Sequence, residues 1–235
     1  MVEMAISTAS YIPHHARQVL KFNPQTHETQ LIDPDLGDGV HKWECGVLAK
    51  NTIIYCAPSD ETKIQKINTT NNEVENMNDL DLPESGNGKW SSGALAKDDC
   101  IYYLPYEAKR ILKLDPYTET VSSVGDDFGD GGKFRWILHV KFDRSRGKVN
   151  YIYGLNQRNN QFIKFDVSKN ETSSIGREIT ERWGPGKAVA RDAMIYCAAA
   201  NRDVCELNTR NRSHLWIRLT NNPTNERNWG NALMF

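Results

Sequence analysis

Short apolar runs separated by polar breaks make up this chain, and the segment from Trp90 to Val124 illustrates the pattern. Four runs rich in β-branched and aromatic residues, at 90–96, 100–105, 110–114 and 119–124, alternate with polar breaks such as Lys97-Asp98-Asp99. Runs of this length bounded by turn residues are typical of β-strands. No apolar periodicity of 3.6 residues extends over the length of a helix. The pattern therefore predicts an all-β protein of four-stranded antiparallel sheets.

The same order of runs recurs along the chain, and a tryptophan marks each recurrence. Five of the six tryptophans are spaced 46 or 47 residues apart, and counting from the last one through the C-terminus and on to the first adds 49 residues. They are Trp43, Trp90, Trp136, Trp183 and Trp229. Self-similarity at a fixed period of this length indicates a repeat architecture. We number the repeats one to five in the order of these tryptophans.

The fifth repeat is divided between the two ends of the chain. Trp229 to Leu233 predicts its first strand, and the N-terminal segment through Leu20-Lys21-Phe22 supplies the rest. Pairing of the C-terminal strand with the N-terminal segment would close the repeats into a ring and leave no open end. Four-stranded blades packed radially around a channel form a β-propeller. We therefore expect residues 1–235 to form a single five-bladed β-propeller domain.

Small residues follow the tryptophan in four of the repeats. They are Gly46, Gly93 with Ala94, Gly184 with Gly186, and Gly230 with Ala232. Strands crowded around a common axis have little room for side chains, so this pattern fits the innermost strand of each blade. The third repeat differs, with Leu138, His139 and Lys141 in this region. That difference is either a local adjustment of packing or a sign of a site.

The second repeat carries a family resemblance. Gly86-Asn87-Gly88-Lys89-Trp90, followed by Leu95 and Ile101-Tyr102, resembles the five-bladed tachylectin-type lectins in layout and repeat length. In those lectins a glycine-rich turn precedes the tryptophan, an apolar strand and a Leu-Tyr-type strand. Gly37-Asp38-Gly39 is a looser match, and the fourth and fifth repeats lack the glycine pair. The resemblance implies a five-bladed propeller that binds glycans.

A basic residue accompanies each tryptophan, and together they are the candidate ligand-binding residues. The set is Lys42, Trp43, Lys89, Trp90, Arg135, Trp136, Arg182, Trp183, Arg227 and Trp229. An indole face suits the C–H face of a sugar, and a ring of cations could meet an acidic ligand. The structural alternative is that each tryptophan fills the space between blades, while the cations are solvated or paired with local carboxylates.

Composition excludes several classes of function. The net charge is −1, which gives no electrostatic footprint for nucleic acid. The chain has no apolar run long enough to span a membrane, and its N-terminus does not show the pattern of a signal peptide. Five cysteines without a C-x-x-C pair favour a reducing compartment, so we expect a cytoplasmic protein. Secretion remains an alternative, since the chain contains sequons at Asn68, Asn170 and Asn211.

The sequence gives little support for a metal site or a catalytic site. Three loops are rich in oxygen ligands for calcium, but none has the spacing of an EF-hand: these are the loops with Asp33, Asp35 and Asp38, with Asp79, Asp81 and Glu84, and with Asp126, Asp127 and Asp130. Adjacent histidines on a strand point to opposite sides, so His14 and His15 could bind one metal only if the chain turned there. No nucleophile elbow or phosphate-binding loop is present. We expect no catalytic residue, no metal and no cofactor.

Three functions follow, in order of preference. The first is a soluble, non-catalytic, multivalent recognition module that binds glycans through repeated shallow sites, which would supply avidity. The second is a protein–protein interaction scaffold that uses the polar loops of one face. The third is an enzyme of the lactonase or hydrolase type with a metal in the channel.

Overall fold

The structure is a computed structural model that describes residues 9–77, 82–129, 151–156 and 161–175, and the strands at 183–189, 194–199, 203–208 and 213–218. Every regular element in these ranges is a β-strand, so the all-β prediction is confirmed there. None of these residues belongs to a helix long and apolar enough to cross a membrane. The chain divides into two compact units, Met1–Val124 and Gly125–Phe235.

The first unit contains three antiparallel sheets. Its strands are β1 Ala9–Tyr11, β2 Val19–Phe22, β3 Thr29–Ile32, β4 Trp43–Leu48, β5 Ile53–Pro58, β6 Gln65–Asn68, β7 Val74–Asn76, β8 Trp90–Leu95, β9 Ile101–Pro105, β10 Ile111–Asp115 and β11 Thr120–Val124. Sheet order follows chain order, as β1-β2-β3, β4-β5-β6-β7 and β8-β9-β10-β11. The last two sheets are the first and second repeats, with the strands where the sequence predicts them. The three-stranded sheet is the N-terminal part of the fifth repeat.

The second unit contains two further sheets within the described part of the chain. Its strands are β12 Tyr151–Asn156, β13 Gln161–Asp166, β14 Glu171–Ile175, β15 Trp183–Val189, β16 Met194–Ala199, β17 Asp203–Asn208 and β18 Ser213–Arg218. They form the sheets β12-β13-β14 and β15-β16-β17-β18, again in chain order. The fourth repeat is therefore a complete four-stranded sheet. The predicted first strand of the third repeat, near Trp136, lies outside the described residues, as does the predicted strand at Trp229 to Leu233.

One turn recurs between the last two strands of four repeats. In each, an Asn or Asp side-chain oxygen accepts a hydrogen bond from the backbone amide two residues later, which is an Asx turn. The residue four positions after the Asx has a positive φ between 53° and 62°. The turns begin at Asn23, Asn68, Asp115 and Asp166, and the positive-φ residues are His27, Asn72, Glu119 and Asn170. Local side-chain chemistry therefore determines where each hairpin reverses.

The core of the first unit lies between neighbouring sheets. One apolar cluster joins Tyr55 of β5 to Trp90 of β8 and Tyr103 of β9, and all three side chains are fully buried. The Tyr103 hydroxyl donates a hydrogen bond of 2.7 Å to the Tyr55 carbonyl, which ties the second repeat to the first. A second cluster packs Val19 of β2 against Trp43 of β4. The sheets of this unit are thus joined face to face by apolar side chains.

Candidate functional site

Trp43 and Trp90 occupy equivalent buried positions at the start of β4 and β8. They pair with Pro58 and Pro105 at the end of the next strand, and a β-bulge follows each tryptophan. Their side chains are 2% and 0% exposed. The indole N–H of Trp43 donates to the Lys63 carbonyl at 2.9 Å, and that of Trp90 donates to the Arg110 carbonyl at 3.2 Å. The regular tryptophan spacing thus reflects a repeated structural anchor in these two repeats.

The neighbouring lysines are also buried and hold loops in place. The Lys89 ammonium donates hydrogen bonds to the carbonyls of Ser59, Glu61 and Gly86, at 2.9, 2.8 and 2.7 Å. Burial lowers the pKa of Lys89, although the charges of Asp60 and Glu61 oppose this effect. An ammonium that has lost water gains compensation from these three carbonyl oxygens. Lys89 therefore closes the loop before β8 against the loop after β5.

Lys42 occupies the equivalent position in the first repeat, where its side chain bonds within the turn that precedes Trp43. Its ammonium donates to the carbonyls of Gly37 and Gly39, at 3.2 and 2.8 Å, and its side chain is fully buried. The glycine-x-glycine turns before Trp43 and Trp90 thus supply carbonyls to a buried lysine. Gly86 and Gly88 both have positive φ, at 100° and 63°, which explains the choice of glycine at these positions.

The ten predicted ligand-binding residues therefore fall into three groups. Trp43 and Trp90 are buried and hydrogen-bonded within the protein, as the structural alternative for the tryptophans describes. Lys42 and Lys89 are buried and bonded to backbone carbonyls, which neither alternative for the cations predicted. Trp183 begins β15, as predicted. Arg135, Trp136, Arg182, Arg227 and Trp229 lie outside the described residues. A ligand-binding role for this set stays a prediction.

A surface groove of about 390 Å³ lies in the second unit, beside the outer strand of the third repeat. Residues of the loop 125–129 contribute to it together with residues of β13 and β14. Its full lining is Asp126, Asp127, Phe128, Ile163, Thr172, Ser173 and Ser174. Side chains alternate along a strand, so Ser174 lies on the face of β14 that carries Thr172, and Ser173 lies on the opposite face. Ser174 is exposed and Phe128 is half-buried, so a hydroxyl and an aromatic ring join the carboxylates in this lining.

The loop that forms the groove is held against the sheet by specific contacts. The Thr172 hydroxyl donates to the Asp126 carboxylate, and the Asp127 carboxylate accepts from the Gly129 amide at 2.7 Å. Gly125, with a φ of 77°, starts the loop close to the sheet, where an added Cβ would come within 3.3 Å of Thr172 Cγ2. Register pairs Thr172 with Phe165, whose ring is buried. The groove is therefore built on a rigid strand pair.

Three histidines form a separate cluster in the first unit. His14 and His15 follow β1 at a bend in the chain, and His41 lies two residues before β4. His41 Nδ1 lies 3.0 Å from His14 Nε2, and the three rings meet edge to face with centroids 4.3 to 4.6 Å apart. Burial, together with the charges of His15 and His41, lowers the pKa of His14, while Asp60 opposes the shift. The chain therefore turns at His14 and His15, as the binding of one metal ion by both residues would require.

Arg17 and the cysteines of the first unit have the surroundings of structural residues. Arg17 forms ion pairs with Asp35 and Asp38, and its hydrogen bond lowers the pKa of the Asp35 carboxyl. Cys45, Cys56 and Cys100 are unbridged, and burial raises the pKa of Cys45 to about 12 and that of Cys100 to about 11. Such thiols are not nucleophiles at neutral pH. Cys56 is fully buried in the apolar core.

Comparison with known proteins identifies the fold. A streptogramin B lyase superimposes with a TM-score of 0.69 at 12% identity, covering 92% of this chain and 66% of the lyase. An inactive variant of virginiamycin B lyase from Staphylococcus aureus, crystallised with quinupristin, gives 0.68 at 11% identity, covering 93% and 73%. An extracellular domain assigned to a hybrid two-component system of B. thetaiotaomicron gives 0.60 at 13% identity, covering 98% and 29%.

The match shows a β-propeller fold. The four-stranded antiparallel sheets of this chain correspond to those of propeller structures. At these identities the likeness concerns the fold alone, and the chain spans only 66% of the streptogramin B lyase. No protein-family model matches the chain, and no curated protein matches it in sequence.

The sequence did not predict the groove in the second unit or the histidine cluster in the first. The groove residues Phe128, Thr172 and Ser174 carry no motif, and the aspartates beside them were weighed only as calcium ligands. Among the described residues, His14, His15 and His41 form a group of potential metal ligands. Asp126 and Asp127 do not belong to such a group in this part of the chain. A signal for His41 was available in principle, because it precedes the Lys42-Trp43 pair that begins the first repeat.

Proposed function

We propose that this chain is a non-catalytic recognition module that binds a glycan in the groove between the loop 125–129 and β14. The groove itself carries the proposal, because it combines hydrogen-bonding groups with an aromatic surface at one place. Its volume of about 390 Å³ falls at the small end of the range for ligand sites. A propeller fold is compatible with many functions, so the argument depends on the site.

The chemistry of the lining suits a polyhydroxylated ligand. The carboxylates of Asp126 and Asp127 accept hydrogen bonds from sugar hydroxyls, and the hydroxyl of Ser174 both donates and accepts. Phe128 offers an apolar ring face for the C–H groups of a pyranose. The groove is open and supported by a strand pair, which fits a shallow site that binds without large rearrangement.

We also propose that the propeller has five blades and is closed by the C-terminal strand. The tryptophan period of 46 or 47 residues supports five repeats. The three-stranded sheet β1-β2-β3 supports closure, since its sequence equivalent in the first, second and fourth repeats has a tryptophan strand as a fourth member. Trp229 to Leu233 supplies the matching sequence for that strand. In this arrangement residues 1–235 form a single domain.

A glycan array followed by calorimetry tests the binding proposal. We expect the wild-type chain to bind a subset of glycans and Ser174→Tyr to lose at least about tenfold in affinity, because the larger side chain fills the groove. Asp126→Asn should weaken binding less, since it keeps the shape and removes one charged acceptor. An array without signal, or unchanged affinity in Ser174→Tyr, would overturn the proposal.

The second repeat offers a matched control. Ser123 occupies the place in β11 that Ser174 occupies in β14, since Ser123 pairs with Leu112 as Ser174 pairs with Ile163. Ser123 lies outside the groove. Ser123→Tyr should therefore retain wild-type affinity. Equal losses in both variants would indicate a general effect of the substitution and contradict the groove as the site.

A further inference from the structure

We propose that His14, His15 and His41 form a binding site for one divalent transition-metal ion of the zinc class. One ligand nitrogen from each residue lies within 4.8 Å of the others. The proposal concerns a site in the first unit and is independent of the glycan groove, which belongs to the second. It follows from the way the backbone brings two distant segments together.

Backbone hydrogen bonds hold these segments in register without help from the imidazoles. The Lys42 amide donates to the His14 carbonyl at 2.9 Å, and the Asp60 amide donates to the His41 carbonyl at 2.9 Å. His14 follows Pro13, which is buried, so the bend at His14 and His15 is anchored on one side. The three side chains are therefore brought together by the fold before any ion binds, and pre-organised ligands reduce the entropic cost of binding.

The spacing of the nitrogens is close to that required for tetrahedral coordination. Zinc–nitrogen bonds of about 2.1 Å place tetrahedral ligands roughly 3.4 Å apart. The His41 Nδ1 to His14 Nε2 separation is 3.0 Å, and His15 completes the set within 4.8 Å. The rings are inclined by 62° to 85° to one another, so their edges converge instead of stacking in parallel. Small rotations of exposed side chains suffice to close the geometry.

The donor set selects the class of ion. Three imidazoles suit Zn²⁺, Cu²⁺ and Ni²⁺, whereas Ca²⁺ and Mg²⁺ require oxygen ligands. His15 and His41 are exposed and His14 is half-buried, so a fourth position remains accessible to water or a small anion. Three histidines with an open fourth position are the arrangement that zinc accepts outside closed structural sites. We therefore expect a single Zn²⁺ to bind, and Mg²⁺ not to bind.

Calorimetric titration of the full, untagged chain with ZnCl₂ tests the site. We expect wild-type protein to bind one Zn²⁺ here and His41→Asn to weaken this binding at least about tenfold. Asparagine is the suitable replacement because His41 has a φ of 51°, a conformation that asparagine tolerates. Zn²⁺ should also raise the midpoint of thermal unfolding of the wild type and not that of His41→Asn.

His27→Asn is the matched control. His27 has a φ of 60° and packs against Phe22, away from the cluster, so the substitution repeats the chemistry and the backbone conformation without removing a ligand. We expect His27→Asn to bind Zn²⁺ as the wild type does. The proposal is overturned if the wild type takes up no Zn²⁺, if His41→Asn binds it unchanged, or if His27→Asn loses as much affinity.

Discussion

At the scale of single residues, the first strands of the repeats are limited by the space between neighbouring sheets. A Cβ added at Gly93 would lie 2.6 Å from Tyr103 Cδ1 and 2.9 Å from Val47 Cγ2. Neither neighbour moves easily, because the Tyr103 ring is buried and its hydroxyl is bonded to the Tyr55 carbonyl. The same holds at Gly46, where a Cβ would meet Ile12 at 2.6 Å. The small residues that follow the tryptophans are therefore a packing requirement.

Gly93→Ala should lower the free energy of unfolding by about 1–3 kcal/mol, because the added methyl group overpacks the contact between β8, β9 and β4. The adjacent position provides the control. Ser92 has a buried hydroxyl without a hydrogen-bond partner, so Ser92→Ala should change the stability by less than about 0.5 kcal/mol or raise it slightly. Urea unfolding followed by tryptophan fluorescence measures both. Equal stability of Gly93→Ala and the wild type would contradict the crowding.

At the scale of elements, buried lysines connect the loops that lead from one sheet to the next. Lys89 bonds to carbonyls at Ser59 and Glu61, after β5, and at Gly86, before β8. The Gly88 amide adds a bond of 2.7 Å to the Asp60 carboxylate across the same junction. This arrangement explains why a glycine-rich turn, a lysine and a tryptophan occur together. The motif that resembles a lectin repeat is, in these two repeats, a connection between sheets.

Lys89→Met should cost roughly 2–4 kcal/mol of stability, because three carbonyl groups lose their donor in a buried place. Lys63 is exposed, and only its backbone carbonyl contacts Trp43, so Lys63→Met is a suitable control with little expected effect. Urea unfolding measures stability, and the glycan assay is run on the same proteins. Lost glycan affinity with unchanged stability in Lys89→Met would instead indicate that Lys89 contacts the ligand.

At the scale of the whole molecule, the proposed ring closure requires that the β1 edge of one sheet pair with another strand. β1 is an edge strand of the sheet β1-β2-β3, and in β4-β5 and β8-β9 the strand at this place pairs with a tryptophan strand. Unpaired edges leave backbone groups without partners and favour association between chains. Under the proposal, Trp229 to Leu233 covers the β1 edge.

Deletion of residues 219–235 should therefore destabilise the protein, reduce the denaturant m-value and promote self-association, because the sheet β1-β2-β3 would lose its proposed fourth strand. Met234 and Phe235 lie beyond the predicted strand, so deleting these two residues alone should leave these properties close to the wild type. Urea unfolding and analytical ultracentrifugation provide the measurements. If the longer deletion unfolds like the wild type and stays monomeric, the closure proposal is wrong.

The strands, the hairpin turns and the repeat period follow from the amino-acid sequence alone, because they depend on residues close together in the chain. The short apolar-rich runs at 100–105 and 110–114 and the Asx turns at Asn68 and Asp115 are local chemistry. The period of the tryptophans then required sheets of similar size. These features were predictable without any knowledge of which segments meet.

The roles of the residues that mark the repeats depend on contacts between distant parts of the chain. Trp90 and Lys89 could equally have been surface groups, and their burial depends on carbonyls at Arg110 and Ser59, far along the chain. The two candidate sites have the same origin, since His14 meets His41 across 27 positions and Asp126 meets Thr172 across 46. Contacts of that range arise from the packing of whole sheets and long loops, which no local pattern of side chains encodes.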